Sequence, residues 1–182
     1  LGGGSSNAAT TLWALNETCG RPATIDQLMQ WSGEIGSDIT FFLSQGTAYC
    51  TGRGEHLHQL PSLPKKIVHI LKPQKGLSTP EVYKNLDIGT LKQREPEKAL
   101  EGFFKGEFDC FNDLEGSAFS IMPELLDLKL NLQSAGFSHV LMSGSGSAFF
   151  CMGEGCLPEL SNMLCFSASF MNRQVSHWYG SY

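Results

Sequence analysis

Apolar positions recur at helical spacing from Asn7: Ala8, Leu12, Leu15 and Cys19 fall on one stripe, which predicts a helix ended by Gly20, Arg21 and Pro22. Thr24, with Gln27 three residues on, makes the pattern of a capping box. Ile25, Leu28 and Met29 then form the buried face of a second helix, running to about Gly33. Ile35 leads through GSDITFF (36–42) into another apolar stretch. TAYC (47–50) and EHLHQL (55–60) flank a Gly-rich TGRG and predict two strands with a tight connection. PSLPKK (61–66) is short, polar and Pro-rich, and is the candidate domain boundary.

Beyond it, KIVHILKP (66–73) reads as a buried strand ended by Pro73. STPEVYKNL (78–86) reads as a short helix with Ser78 or Thr79 at the cap and Pro80 in the first turn. Residues 87–98 read as loop and charged surface, and LEGFFKGEF (100–108) as a helix. After FNDLEG (111–116), one long helix from about Ser117 to Gly136 buries Met122, Leu125, Leu128, Leu132 and Ala135. HVLM (139–142), SGSGS (143–147) and AFFCM (148–152) predict strand, small-residue turn, strand. The part from Leu157 offers one more helix and a strand near FSASFM (166–171). The pattern has no internal repeat and is α+β rather than a regular βαβ alternation.

Composition narrows the partners. The 182 residues are 41% hydrophobic and 17% charged, enough apolar material for a sizeable core. A net charge of −5 leaves no broad basic surface for nucleic acid or an anionic membrane, but permits a local phosphate pocket. No apolar run reaches transmembrane length, and no secretory signal is visible. The first residue is Leu rather than Met, so a fragment or processed form is expected. The six cysteines form no CxxC pair and read as reduced thiols of a reducing compartment. The five histidines make neither HExxH nor a zinc spacing. His56 and His58 can share a strand face, but two such ligands make no metal site.

The candidate chemistry lies in the Gly/Ser loops. A helix start exposes unpaired N–H groups and the positive end of its dipole. LGGGSSNAATTLWALNE (1–17) runs glycines and serines directly into such a start. That is either a flexible linker or an anion cradle. It is not a Walker A motif, since no Lys follows the last Gly. SGSGS is either a plain hairpin turn or a second such loop. Asp38, in a Gly/Ser turn ahead of Ile39–Leu43, is a helix cap, a hydrogen-bonder at the core edge or a catalytic base.

Read together and in order, LGGGSSNAA, GSDITFF and MSGSGSAFF resemble the GHMP kinase family, which phosphorylates small metabolites with ATP. LGGGSSNAA is similar to the second half of the family's phosphate motif, and MSGSGSAFF to its C-terminal Gly-rich motif. GTAYCTGRGE (46–55), LSTPEVYKNL (77–86) and NDLE (112–115) resemble the branch that acts on 4-diphosphocytidyl-2-C-methyl-D-erythritol. WSGEIGSD (31–38) and FMNRQVSHWY (170–179) look most like its plastid forms.

The resemblance implies the GHMP kinase fold. Residues 1–62 would end a ribosomal-protein-S5-domain-2-like, ATP-binding domain, and 63–182 would form a ferredoxin-like C-terminal domain. It implies phosphorylation of the substrate's 2-hydroxyl in the non-mevalonate isoprenoid route, with ATP and Mg²⁺. Asp38 would take or orient the hydroxyl proton. Gly2, Gly3, Gly4, Ser5 and Ser6 would cradle the phosphates, and Asn7 would help fix the helix start. Arg53, Thr79, Tyr83, Gly144 and Ser145 would meet the substrate, with Tyr83 placed to stack on the cytosine. It implies no nucleic-acid or membrane partner, a monomer or weak homodimer, and the plastid stroma, or the cytoplasm if bacterial.

The family also uses a lysine beside the aspartate and an aromatic cytosine pocket, both upstream of the phosphate motif, and neither lies in this chain. The expectation is therefore a longer natural protein, with this part inactive alone and exposing part of a sheet and core. The alternatives are a kinase for another metabolite, such as homoserine or mevalonate, and a non-catalytic nucleotide-binding remnant.

Overall fold

The computed structural model describes residues 1–107, 110–157 and 162–174. Beyond its first residue the chain divides into two compact units. One comprises Gly2–Lys65 with the segment that starts at Phe170, and the other Lys66–Ser169.

In the first unit, α1 (Gly3–Thr18), α2 (Ile25–Ile35) and the single turn α3 (Ile39–Phe42) pack around Ala9, Ala23, Leu28, Ile39 and Leu43. Helix α1 begins four residues before the Asn7 start that the apolar stripe predicts. Ala8, Leu12 and Trp13 line the core beside Ala9, whereas Leu15 is 57% exposed and Cys19 is exposed. The stripe is thus turned toward Ala9 and Trp13. The Thr24 capping box forms: the Gln27 N–H donates to Thr24 Oγ1 at 3.3 Å, and the Thr24 N–H to Gln27 Oε1 at 2.8 Å. The Asn16 carboxamide bonds both backbone groups of Ala23, tying α1 to the turn before α2. Ile25, at the first position of α2, stays exposed. Strands β1 (Ala48–Thr51) and β2 (His56–Gln59) form an antiparallel hairpin with Tyr49 opposite His58. Arg173 stitches the later segment to this unit, its Nη1 donating to Phe42 O and its N–H to Gln45 O, each at 2.8 Å.

The second unit is a four-stranded antiparallel sheet of β3 (Ile67–Pro73), β4 (His139–Met142), β5 (Phe149–Met152) and β6 (Met163–Ser169), in the order β4-β5-β3-β6. Its core gathers Leu71 and Phe149 from the sheet with Val82 of α4 (Thr79–Lys84), Ala118 of α6 (Glu115–Ile121) and Leu125, Leu128 and Leu132 of α7 (Glu124–Ser134). A 3-10 turn at Ile88–Thr90 lies in the predicted loop, and the helix predicted from Leu100 forms as α5 (Pro96–Lys105), opened four residues earlier by Pro96.

The single helix expected from Ser117 to Gly136 is two. Pro123 has no N–H to continue α6 and its ring disfavours helix in the residue before it. Met122 accordingly leaves the helical region at φ −136°, and α7 starts afresh. The helix expected from Leu157 falls largely on 158–161, outside the described residues, as does the tail motif from 175 onward. Among the described residues no helix is long and apolar enough to cross a membrane.

Candidate active-site residues

The glycines at the start of α1 have unequal roles. Gly2 is the N-cap, in the left-handed region at φ +70°, and a Cβ there would lie 2.6 Å from Cζ of Phe42. Gly3 and Gly4 lie inside the first turn, and a Cβ on either would meet nothing within 4 Å. That turn has no side-chain cap and no acidic residue, so its N–H groups form an uncompensated positive end on a 16-residue helix. The Ser6 hydroxyl donates to Gly3 O at 2.9 Å, inside the helix itself. Asn7 sits in the second turn, past the start it was expected to fix.

Asp38 stands at the N-terminus of α3 but makes no side-chain cap bond. The cap reading therefore fails, and the carboxylate is not spent on satisfying its own helix. Behind it, Ser32 of α2 and Thr40 of α3 share a buried hydroxyl–hydroxyl bond of 2.9 Å that fixes the two helices. The β1–β2 turn lies alongside. A Cβ on Gly54 would fall 3.4 Å from Ser37 O and 3.8 Å from Asp38 Oδ1. The Cys50 thiol of β1 is pushed up, first by burial and then by the negative charge of Asp38. Arg53 is exposed at the tip of this turn. Its N–H donates to Glu55 Oε2 at 2.6 Å, and its guanidinium lies 3.6 Å from Oε1. The backbone N–H of Glu55 itself is the main cause holding that carboxyl below its ordinary value. Burial opposes it, and the Arg53 N–H and charge reinforce it.

In the second unit, the β4–β5 connection is the hairpin turn that the spacing predicts, and it is anchored at three points. Thr79 Oγ1 of α4 and Ser145 Oγ share a hydrogen bond of 2.7 Å. Asn112 Nδ2 donates to Met142 O and Gly144 O, both at 2.8 Å. Ser147 Oγ donates to Lys75 O at 2.7 Å and accepts from Lys72 Nζ at 3.2 Å. Tyr83, one turn along α4 from Thr79, is 58% exposed with its ring unburied.

The structure thus brings Gly2, Gly3, Gly4, Ser5, Ser6, Asn7, Asp38 and Arg53 into one unit, and Thr79, Tyr83, Gly144 and Ser145 into the other. The NDLE motif does not by itself mark Asn112 as the anchor of the Gly-rich loop. Its signal is an Asn just before a helix start, a residue type that bonds nearby backbone. Ser147 and Lys72 carried no signal, since their meeting depends on the β3–β5 pairing. His56 is exposed, as is His58, and among the described residues no group of three or more His, Cys, Asp or Glu could hold a metal ion.

The family model described as GHMP kinases N terminal domain matches residues 1–46. A 4-diphosphocytidyl-2-C-methyl-D-erythritol kinase of Protochlamydia amoebophila (strain UWE25) is 54% identical over 181 residues, covering 100% of this chain and 61% of the relative. Residues 1–46 thus match the GHMP kinase N-terminal domain, and the whole chain aligns with the Protochlamydia kinase. The chloroplastic/chromoplastic kinase of the same name from Solanum lycopersicum is 44% identical over 194 residues, 98% of this chain and 48% of its own length. A crystal structure of 4-(cytidine 5'-diphospho)-2C-methyl-D-erythritol kinase matches with a TM-score of 0.71 at 38% identity, covering 85% of this chain and 57% of that one. The GHMP kinase fold is therefore the fold of this chain. The chain spans about three-fifths or less of the length of these relatives. Their names do not favour a kinase for another metabolite.

Proposed function

We propose that this chain carries the phosphate loop, the catalytic aspartate and part of the substrate site of a kinase that moves the γ-phosphoryl group of ATP to the 2-hydroxyl of 4-diphosphocytidyl-2-C-methyl-D-erythritol. The observation that carries the reading is the contact of Gly2 with Phe42. It sets the open start of α1 against α3, the helix that Asp38 leads. An anion-binding helix start and an uncommitted carboxylate in one packed unit are the two parts that phosphoryl transfer needs.

Phosphate oxygens fit the first turn of α1, where Gly3 and Gly4 leave room for close approach and no acidic side chain repels them. Asp38 accepts the proton of the 2-hydroxyl or orients that hydroxyl for in-line attack. Mg²⁺ arriving with the nucleotide would supply neutralisation of the phosphate charge, held chiefly by phosphate oxygens and water. The exposed Tyr83 ring offers a stacking face for cytosine, and Thr79 with Ser145 offers paired hydroxyls to the cytidyl end. Gly144 lets substrate approach the backbone closely, and Arg53 is a further candidate for substrate contact. In a plant the site of action is the plastid stroma, and in a bacterium the cytoplasm.

The test is ADP release on adding the cytidyl substrate. It is run on this chain and on a chimera carrying the upstream segment of the Protochlamydia relative before Leu1. Substrate-dependent release by either, with the new phosphate on the 2-hydroxyl, supports the reading. No release from both, with the chimera folded, overturns it.

A further inference from the structure

One guanidinium holds both neighbours of Asn112. Arg94 Nη1 pairs with Asp113 Oδ1 at 2.5 Å, and the same guanidinium lies over the Phe111 ring, 3.6 Å from its centroid. Both side chains of the ion pair are mostly covered, at 27% and 37% exposure. A planar cation can bond a carboxylate at its edge and stack on a ring with its face at once, which an ammonium cannot. Residues 111 and 113 are thereby fixed on either side of residue 112.

Asn112 has no freedom left. Its Nδ2 donates to Met142 O and Gly144 O, and its Oδ1 accepts from the Leu114 N–H at 3.0 Å. These bonds set the direction of the peptide planes at the entry to the Gly-rich loop. In a trans peptide the C=O and the following N–H point to opposite sides. Holding Gly144 O on Asn112 therefore turns the Ser145 N–H away from Asn112. The Ser143 N–H, opposed in the same way to Met142 O, is received by Ala148 O at 2.8 Å.

We propose that Arg94 is a positioning residue for the β4–β5 loop and acts through Asn112. Arg94 lies 49 positions before Ser143 in sequence, and its ion-pair and ring partners, Asp113 and Phe111, both lie outside the loop; it fixes the frame from which the Asn112 carboxamide reaches the loop. That the loop so positioned meets substrate rests on the function proposed above, whereas the clamp itself does not.

The experiment is amide hydrogen exchange on this chain, comparing the parent, Arg94→Ala, Asn112→Ala and the double variant. The expected result is exchange about tenfold faster at the Ser143 and Gly146 amides in either single variant. The amides of β3 and β5 keep their protection, and the double variant is no faster than Asn112→Ala alone. Unchanged loop exchange in Arg94→Ala overturns the proposal. So does acceleration spread through β3 and β5, which would make Arg94 a general stabiliser, and so does an additive double variant. A parallel titration of the folded chimera that carries the upstream segment with cytidine 5′-diphosphate keeps the two ideas apart, since the expected aromatic cytosine pocket lies in that segment. Failure to bind counts against the substrate reading, while the exchange pattern alone decides the clamp.

Discussion

Gly2 rests against the ring of Phe42 so closely that a methyl group on it would come within 2.6 Å of Cζ, and its φ of +70° is one that L side chains rarely adopt. Gly4, two residues on, has open space instead. The two glycines therefore separate packing from function. Gly2→Ala is expected to destabilise the first unit by about 1–2 kcal/mol, from left-handed backbone cost and the displaced ring. Gly4→Ala adds a methyl inside a helix and is expected to leave stability unchanged or raise it by up to about 1 kcal/mol. That same methyl stands where phosphate oxygens must approach, so ATP affinity should fall at least about tenfold. Urea unfolding and ATP titration of both variants check this. Parental ATP affinity in Gly4→Ala would remove the cradle reading.

The helix start after the first glycines, the turn at Asp38 and the hairpin at SGSGS are legible because their signals are local: glycine before a helix, an acid in a turn, small residues between apolar strands. The capping box of α2 and the β1–β2 hairpin were legible for the same reason. Pro123 is in plain view, but the apolar spacing continues across it and predicts one helix through a residue that cannot continue one. The orientation of α1 was hidden for another reason. Which of several apolar residues on a helix faces inward depends on the partner helices, and Leu15 is left 57% exposed. The least legible layer was the set of long-range hydrogen bonds. Asn112 advertises backbone bonding by its place before a helix start, but neither it nor Ser147 shows locally which partners, 30 and 72 residues away, make it an anchor.

The Thr79–Ser145 bond joins α4 to the Gly-rich loop through two hydroxyls. Thr79→Val keeps the shape and removes the bond. The pair is exposed, so the cost in stability should stay below about 1 kcal/mol. In the active chimera, KM for the cytidyl substrate should rise about 5–10-fold while KM for ATP is unchanged, since one net hydrogen bond is at stake on the substrate side only. Thr79→Ser should restore it. Steady-state kinetics with each substrate varied in turn gives the answer, and equal effects on both KM values would place Thr79 outside the substrate site.

Asp38 makes no cap bond, so Asp38→Asn should change the unfolding free energy by no more than about 0.5 kcal/mol. In the chimera it should lower kcat by about 10²–10⁴, the range for losing a general base. A second readout needs no turnover. The negative charge of Asp38 helps keep the Cys50 thiol protonated, so removing it should lower the Cys50 pKa and speed its alkylation at pH 8–9. Near-parental kcat with altered Cys50 reactivity would show that the carboxylate sits where described but does no catalysis.

Cys151 makes stability depend on alkaline pH. It is fully buried in β5, and its thiol is pushed up from 9.0 to about 12, first by burial and then by the neighbouring Cys165. The folded chain therefore holds the Cys151 proton over a range in which the unfolded chain has released it. The sign follows from linkage. Below about pH 9 both states keep the proton and the neutral thiol's contribution is fully present. Between about 9 and 12 the unfolded state binds fewer protons, so stability falls by about 1.4 kcal/mol per pH unit from this group. Cys151→Ala lacks that slope but carries a cavity cost that is independent of pH. The parent should be the more stable of the two at pH 7, and the gap should narrow from pH 9 upward. Urea unfolding of both proteins at pH 7, 8, 9 and 10 measures this directly. A gap that stays constant across the series would mean that Cys151 ionises no later in the folded chain than in the unfolded one.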